Sequence, residues 1–219
     1  MLYYLPSCNF TAAHKETSAV IRKYLREKHN VETGACCRAM KNRLQAGDEV
    51  LQNCQNCTWI MQENRPDIPQ ESLYEFLLED ETFPWPDYHG ERITVQDCLR
   101  AAEKPAERQA VRIMLERMNM VPVELPENRE NTRFCGTWRY EPVSPANRRD
   151  EPQRCAWVDA RGWITPVEPQ EKQRLMQEWV KQYETDRVAV YCNSCLKGVL
   201  LGGADGVHVL DLAFAGMMK

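Results

Sequence analysis

EVLQNCQNC, residues 49–57, and RVAVYCNSC, residues 187–195, decide how this chain folds. In each, an apolar, β-prone run of four or five residues ends at a Cys-x-x-Cys pair, which reads as a buried strand delivering two thiols to the turn at its carboxyl end. Working outward from the first pair, LYYL (residues 2–5) is a short strand stopped by Pro6 and Ser7 and followed by Cys8 on a turn. An amphipathic helix is expected from about Thr11 to Lys28. VETGACC is then a brief strand that brings Cys36 and Cys37 to a loop, and a short helix from Arg38 to Gln45 ends near Gly47. The order strand, Cys, helix, strand, Cys-Cys, helix, strand, Cys-x-x-Cys implies an α/β fold with a mainly parallel sheet, in which ligands gather at the carboxyl ends of strands.

The second half repeats the plan. ERITVQD is a strand ending at Cys98, and LRAAEKPAERQAVRIMLERM is a helix broken near Pro105. VPVEL is a strand whose following loop carries Phe134, Cys135 and Gly136, and RVAVY delivers Cys192 and Cys195. After each Cys-x-x-Cys comes a similar tail, TWIMQEN to SLYEFLLED and LKGVLLGG to VHVLDLAFAG. The expectation is two Rossmann-like halves related by pseudo-twofold symmetry: a first cysteine-rich module over 1–86, and a second over 87–219 interrupted by a Pro-, Arg- and Trp-rich insertion at about 137–169. The insertion carries Trp138, Trp157, Trp163 and Cys155. Its tryptophans argue for an ordered lid or docking surface near the second site.

Nine of the ten cysteines thus fall into two sets: Cys8, Cys36, Cys37, Cys54 and Cys57, and Cys98, Cys135, Cys192 and Cys195. Four or five soft ligands drawn from distant parts of a chain are the donor set for zinc or for iron and sulfide. Helices that begin just after the cysteines would aim their N-termini at the thiolates.

With these residues in view, YYLPSC, GACC and NCQNC resemble the cysteine-rich CCG domain of the iron–sulfur family typified by heterodisulfide reductase, shared with related proteins of lactate, glycolate and succinate oxidation systems. YHGERITVQDC, PAERQAVRIML, VPVEL and FCG resemble the second module of that family, and the resemblance covers nearly the whole chain. It implies a [4Fe-4S] cluster in the first module, of the non-cubane kind in which a cysteine sulfur bridges irons. In the second module it leaves an ordinary [4Fe-4S] cluster or a zinc ion. The chain departs from the family pattern in three places. Arg38 stands where the family has the glycine of Cys-Cys-Gly, with 16 residues between Cys37 and Cys54; Phe134 replaces one of the paired cysteines; and 56 residues separate Cys135 from Cys192. Cys155 is a candidate fifth ligand for the second set, or a buried small apolar side chain.

The implied function is an iron–sulfur oxidoreductase subunit that moves electrons to or from a disulfide or another small molecule, with a ferredoxin-like partner, since the chain has no ferredoxin-type cysteine run of its own. The competing class is a non-catalytic zinc-binding or cluster-carrying structural protein. A net charge of −4 with interspersed signs argues against nucleic acid. The stretch Val199 to Met218 is too polar for direct membrane insertion, and the absence of a secretory pattern at the start points to the cytoplasm. His14 is expected on a solvated helix face. His89 has no partner legible in sequence, nor does His208, expected within a last strand beside Asp211. LLGGADG lacks the Lys-Ser/Thr of a phosphate loop.

Overall fold

The computed structural model describes residues 1–218. It contains two four-stranded sheets, both wholly parallel, with orders β2-β1-β3-β4 and β6-β5-β7-β8. The first comprises β1 (Leu2–Leu5), β2 (Glu32–Thr33), β3 (Glu49–Gln52) and β4 (Gln70–Ser72). The second comprises β5 (Glu91–Val95), β6 (Met120–Glu124), β7 (Arg187–Val190) and β8 (Asp205–His208). The two orders map onto each other strand for strand, so the α/β class and the repeated Rossmann-like halves hold. Parallel neighbours need crossovers, and the helices supply them. These are α1 (Cys8–Ala13), α2 (Lys15–His29), α3 (Cys37–Met40), α4 (Gln55–Asn64) and α5 (Leu73–Glu79) in the first half. The second half has α6 (Pro105–Arg117), α7 (Pro145–Asp150), α8 (Pro152–Ala160), α9 (Pro169–Val180), α10 (Asn193–Leu201) and α11 (Val209–Phe214).

One apolar core serves both halves: Tyr4 and Leu51 of the first sheet, Val95 and Val190 of the second, and Leu73, Leu115 and Phe214 between them belong to the same buried cluster. A smaller cluster of Leu5, Val50, Ile60 and Met61 packs beneath the first cysteine set and includes Cys37 and Cys57. Each such fully buried aliphatic side chain contributes roughly 1.5–3 kcal/mol by leaving water. The halves are also stitched by polar contacts. The Tyr74 hydroxyl lies 3.1 Å from the carbonyl of Tyr191 and 3.3 Å from that of Asn53, which ties the ends of β3 and β7 together.

Several elements differ from the sequence reading. The helix expected from Thr11 to Lys28 is two helices, parted at His14, which leaves helical dihedrals (φ −125°, ψ 59°) while its ring bonds Asp211 in the other half. Cys8 is the first residue of α1 rather than a turn residue, because Ser7 caps that helix by accepting from the Phe10 N–H at 3.3 Å. The VETGACC strand is only two residues long, and Cys36 and Cys37 open α3 instead of sitting on a loop. The helix expected over Arg38 to Gln45 stops at Met40. Pro105 starts α6 instead of kinking a longer helix, since a proline at the first helical position loses no hydrogen bond. VHVLDLAFAG is a strand only to His208, whose imidazole caps α11; Asp211 is therefore helical. No described helix is long and apolar enough to cross a membrane.

The insertion is a pair of short helices, α7 and α8, with flanking turns, and it folds back on the first half rather than over the second site alone. Asp150 accepts from Arg38 Nε at 2.7 Å and from Lys41 Nζ at 3.1 Å, and its carbonyl accepts from Asn64 Nδ2 at 2.6 Å. Glu63 caps α8 from outside, accepting from the N–H groups of Gln153 and Arg154 at 2.9 and 3.0 Å. Trp59 meets Trp138 and Trp157 edge-on, and the Arg154 guanidinium sits 4.7 Å from the Trp59 ring centre.

Candidate metal centre and cleft

Cys98, Cys135, Cys192 and Cys195 are brought to one point: all four are buried and their sulfurs lie within 4.8 Å of one another. Among the described residues this is the only group of three or more His, Cys, Asp or Glu side chains placed to hold one ion. Each thiol arrives from the carboxyl end of a strand. Cys98 follows β5, Cys135 lies on the loop after β6, and Cys192 stands just before α10 at the end of β7, with Cys195 on the first turn of that helix. Cys98 Sγ and Cys135 Sγ are 3.5 Å apart.

Gly136 explains how two cysteine loops come this close. Its φ of +50° is left-handed, and a Cβ built there would lie 1.8 Å from the Ser194 carbonyl oxygen. A Cβ on Gly198 would in turn lie 2.5 Å from Gly136 Cα. Backbone packs on backbone between the Cys135 loop and the Cys192–Cys195 helix, and only glycine permits it.

Arg100 closes the site. Its guanidinium donates from Nε to Cys135 Sγ and from Nη2 to Cys192 Sγ, each at 3.2 Å, and its carbon lies 4.9 Å from the Trp138 ring centre. Cys192 is held well below the usual thiol range, first by the Cys135, Cys195 and Cys98 thiols that donate to its thiolate and then by the Arg100 charge. Burial pushes Cys98 and Cys195 well up. Beneath, Asp97 accepts from Arg112 Nη2 at 2.7 Å and from the Tyr191 hydroxyl at 2.9 Å, and that hydroxyl accepts the Cys98 N–H at 3.2 Å. Arg112 also bonds Glu124 at the end of β6, at 2.6 and 2.7 Å. This buried ion network fixes the Cys98 backbone.

The first set is arranged differently. Its five cysteines form no group as compact. They run as a row of neighbours: Cys8 beside Cys36, Cys36 beside Cys37, Cys37 beside Cys57, and Cys57 beside Cys54. Cys8 is exposed, Cys36 and Cys54 are half-buried, and Cys37 and Cys57 are buried. The Cys57 thiol, the Ser7 hydroxyl and the Arg100 charge lower Cys54 to about 6, so it is thiolate at neutral pH. Cys37 is also lowered, chiefly by Cys57, whereas Cys8 is pushed up to about 11 by burial and by Cys36. Arg38, in the place of a glycine, bonds Asp150 and Asn147 Oδ1, the latter at 2.5 Å, while its charge favours the thiolates of Cys37 and Cys8.

Cys54 and Cys192, one from each set, line a single cleft of about 360 Å³ between the halves, at the carboxyl ends of both sheets, together with Arg100, Phe10, Trp138 and His208. Cys155 is not part of either set. It is buried on α8 near Glu151, Arg148 and Asp159, and burial raises it to about 11, the character of a small packed side chain. His14 is not on a solvated face: Nδ1 lies 2.7 Å from Asp211 Oδ2, and the ring stacks on Phe10 with centres 4.7 Å apart. His89 is exposed beside Asp87. Arg100, Tyr191 and His208 were missed as site residues. The only trace of Arg100 in the sequence is a single basic residue two positions after Cys98, and that of the histidine is its place in the apolar stretch VHVLDLAF after the second Cys-x-x-Cys. No protein-family model and no curated protein matches this chain.

Proposed function

We propose that the chain is an oxidoreductase subunit that passes electrons to or from a small molecule, a disulfide or similar acceptor, bound in the cleft between the two cysteine sets. The observation that carries this reading is the cleft itself: it is walled by a thiol of each set, and Arg100 spans the gap, bonded to two sulfurs of one set and acting on Cys54 of the other. Ligands of parallel α/β folds collect at this end of the strands.

The two sets divide the work. Around a tetrahedral ion with metal–sulfur bonds of about 2.3 Å, sulfurs sit about 3.8 Å apart. The tetrad matches that scale, with one pair at 3.5 Å and none beyond 4.8 Å, while a four-iron cube would hold its outer sulfurs farther apart. The second set is therefore read as a closed site for a single ion, zinc or iron, that staples the second half. Four thiolates around a divalent ion leave excess negative charge, and the two Arg100 hydrogen bonds offset it. The first set, wider and partly open, has the donors for an iron–sulfur cluster, which would supply the electrons. Cys37 and Cys57 would hold it deep in the wall, with Cys54 facing the cleft and Cys36 and Cys8 nearer the surface. A ferredoxin-like protein is the partner such a centre needs.

The second reading, a purely structural zinc protein, is favoured by the burial and compactness of the tetrad. Anaerobic purification with iron, zinc and acid-labile sulfide analysis separates the two. The redox reading expects a brown protein whose sulfide is lost in Cys54→Ser and Cys37→Ser and kept in Cys155→Ser. A colourless protein carrying zinc alone refutes it.

A further inference from the structure

His208 ends β8 and caps α11, with its Nδ1 accepting the Leu210 N–H at 3.3 Å. An imidazole whose Nδ1 accepts a hydrogen bond carries its proton on Nε2 when neutral. The residue is 1 % exposed, packed against Phe10 and His14 with ring centres 4.8 and 5.3 Å away, yet it lines the cleft. Burial, with the His14 charge added, lowers it to about 3, so it is neutral at physiological pH.

The repeat shows that the cap alone does not require a histidine. At the equivalent place in the first half, Ser72 ends β4 and caps α5 by accepting from the Tyr74 N–H at 3.3 Å. What the imidazole adds over a hydroxyl is a second nitrogen, one ring-width farther out. The same cleft contains another donor without a partner, Nδ2 of Asn53, a residue 4 % exposed. Its one carboxylate, Glu141, is occupied by Lys172 at 2.8 Å, and Lys197 lines it with no ion pair among the described residues. The lining also holds two unpartnered acceptors, Gln55 Oε1 and Asn193 Oδ1, and the guanidinium groups of Arg38 and Arg100, both engaged with other groups.

From this arrangement we infer that His208 Nε2–H is a hydrogen-bond donor to an anionic group of the molecule that occupies the cleft, with Asn53 Nδ2 as its companion. The two orphan acceptors give that molecule a further requirement, an N–H or O–H of its own. A small anion that also carries an amide or hydroxyl fits both halves of the pattern. A neutral imidazole at a helix start polarises an anionic or carbonyl oxygen without the reorganisation a flexible cation would need. The inference deepens the cleft reading above but does not depend on the metal.

Two variants pull the histidine's roles apart. His208→Ser keeps the cap, as Ser72 does, and removes the outer donor; His208→Gln keeps an N–H near the Nε2 position and weakens the cap. The probes are N-acetylmethioninate and its neutral amide, which cannot exchange with thiols, titrated calorimetrically into the whole chain as isolated. Wild type should bind the anion at least about tenfold tighter than the amide. That preference should fall several-fold in His208→Ser, whose metal content stays at the wild-type value while the space left by the ring lowers its Tm, and persist in His208→Gln, whose weakened cap also lowers its Tm. No preference in wild type, or an undiminished one in His208→Ser, overturns the inference. Colourless, zinc-only protein that still shows the preference would remove the redox reading and leave this site standing.

Discussion

The two halves share one topology and treat their cysteines in opposite ways. In the second, a glycine after Cys135 lets two backbones touch, the sulfurs close to within 4.8 Å, and Arg100 stands between them and the cleft, which only Cys192 of the four lines. In the first, Arg38 holds the place of that glycine, the sulfurs stay spread, and the arginine recruits the insertion through Asp150 and Asn147. The difference teaches that the spacing of cysteines along the chain does not set the spacing of sulfurs in space. In the second half a single glycine beside the cysteine permits the backbone contact on which the close tetrad depends.

The largest effect should come from abolishing that contact. In Gly136→Ala the new Cβ meets backbone 1.8 Å away, which no rotamer relieves, so the tetrad opens. A loss of several kcal/mol is expected, with the metal of the second site released and the sulfide of the first retained, read by metal analysis and urea denaturation. By contrast Gly90→Ala, also left-handed at φ +82° but with open space around it, should cost about 1 kcal/mol.

Next in size is Arg100→Met. Removing the guanidinium takes two hydrogen bonds from sulfur and the nearest positive charge from Cys54 and Cys192. Metal affinity of the second site should fall by about 10- to 100-fold in chelator competition. The alkylation pKa of Cys54 in metal-free protein should rise above about 6. An unchanged value at both sites would break the link drawn between the halves.

The central strands of both sheets were legible in the sequence because LYYL, EVLQ, ERITV and RVAV are short β-prone runs, and both Cys-x-x-Cys turns follow such runs directly; the edge strands β2 (ET), β4 (QES) and β8 (DGVH) are too short and polar to announce themselves. The convergence of Cys98, Cys135, Cys192 and Cys195 was legible for the same reason: parallel strands deliver their carboxyl ends to one edge. Helix limits were not. His14 breaks a continuous periodic pattern for the sake of Asp211, nearly two hundred residues away, and no local signal records that partner. Arg100 and the folding of the insertion onto the first half depend on long-range ion pairs of the same kind. Cys155 shows the converse, a ligand-type residue whose surroundings on α8 make it ordinary packing.

A smaller effect sharpens the role of the insertion. Neighbouring Arg149, with Lys41 and Arg38, holds the Asp150 carboxyl down at about 2, below its unfolded value. Stability from this group is therefore fully present above the ordinary aspartate range near 4 and is lost as pH falls through about 2. Asp150→Asn should cost about 1–3 kcal/mol at pH 7, and the gap from wild type should narrow between pH 4 and 2 in denaturation midpoints. The smallest effect is expected of Cys155→Ala, about 1 kcal/mol with no change in metal or colour.

X-ray absorption at the iron and zinc edges of anaerobically isolated protein, compared with Cys98→Ser and Cys54→Ser, tests most directly whether each cysteine set holds its own centre. The expected result is all-sulfur coordination of a single ion that gains an oxygen or disappears in Cys98→Ser, and a separate iron–iron signal that changes only in Cys54→Ser. One shared signal altered by both variants, or metal bound through nitrogen and oxygen in the wild type, would contradict the account.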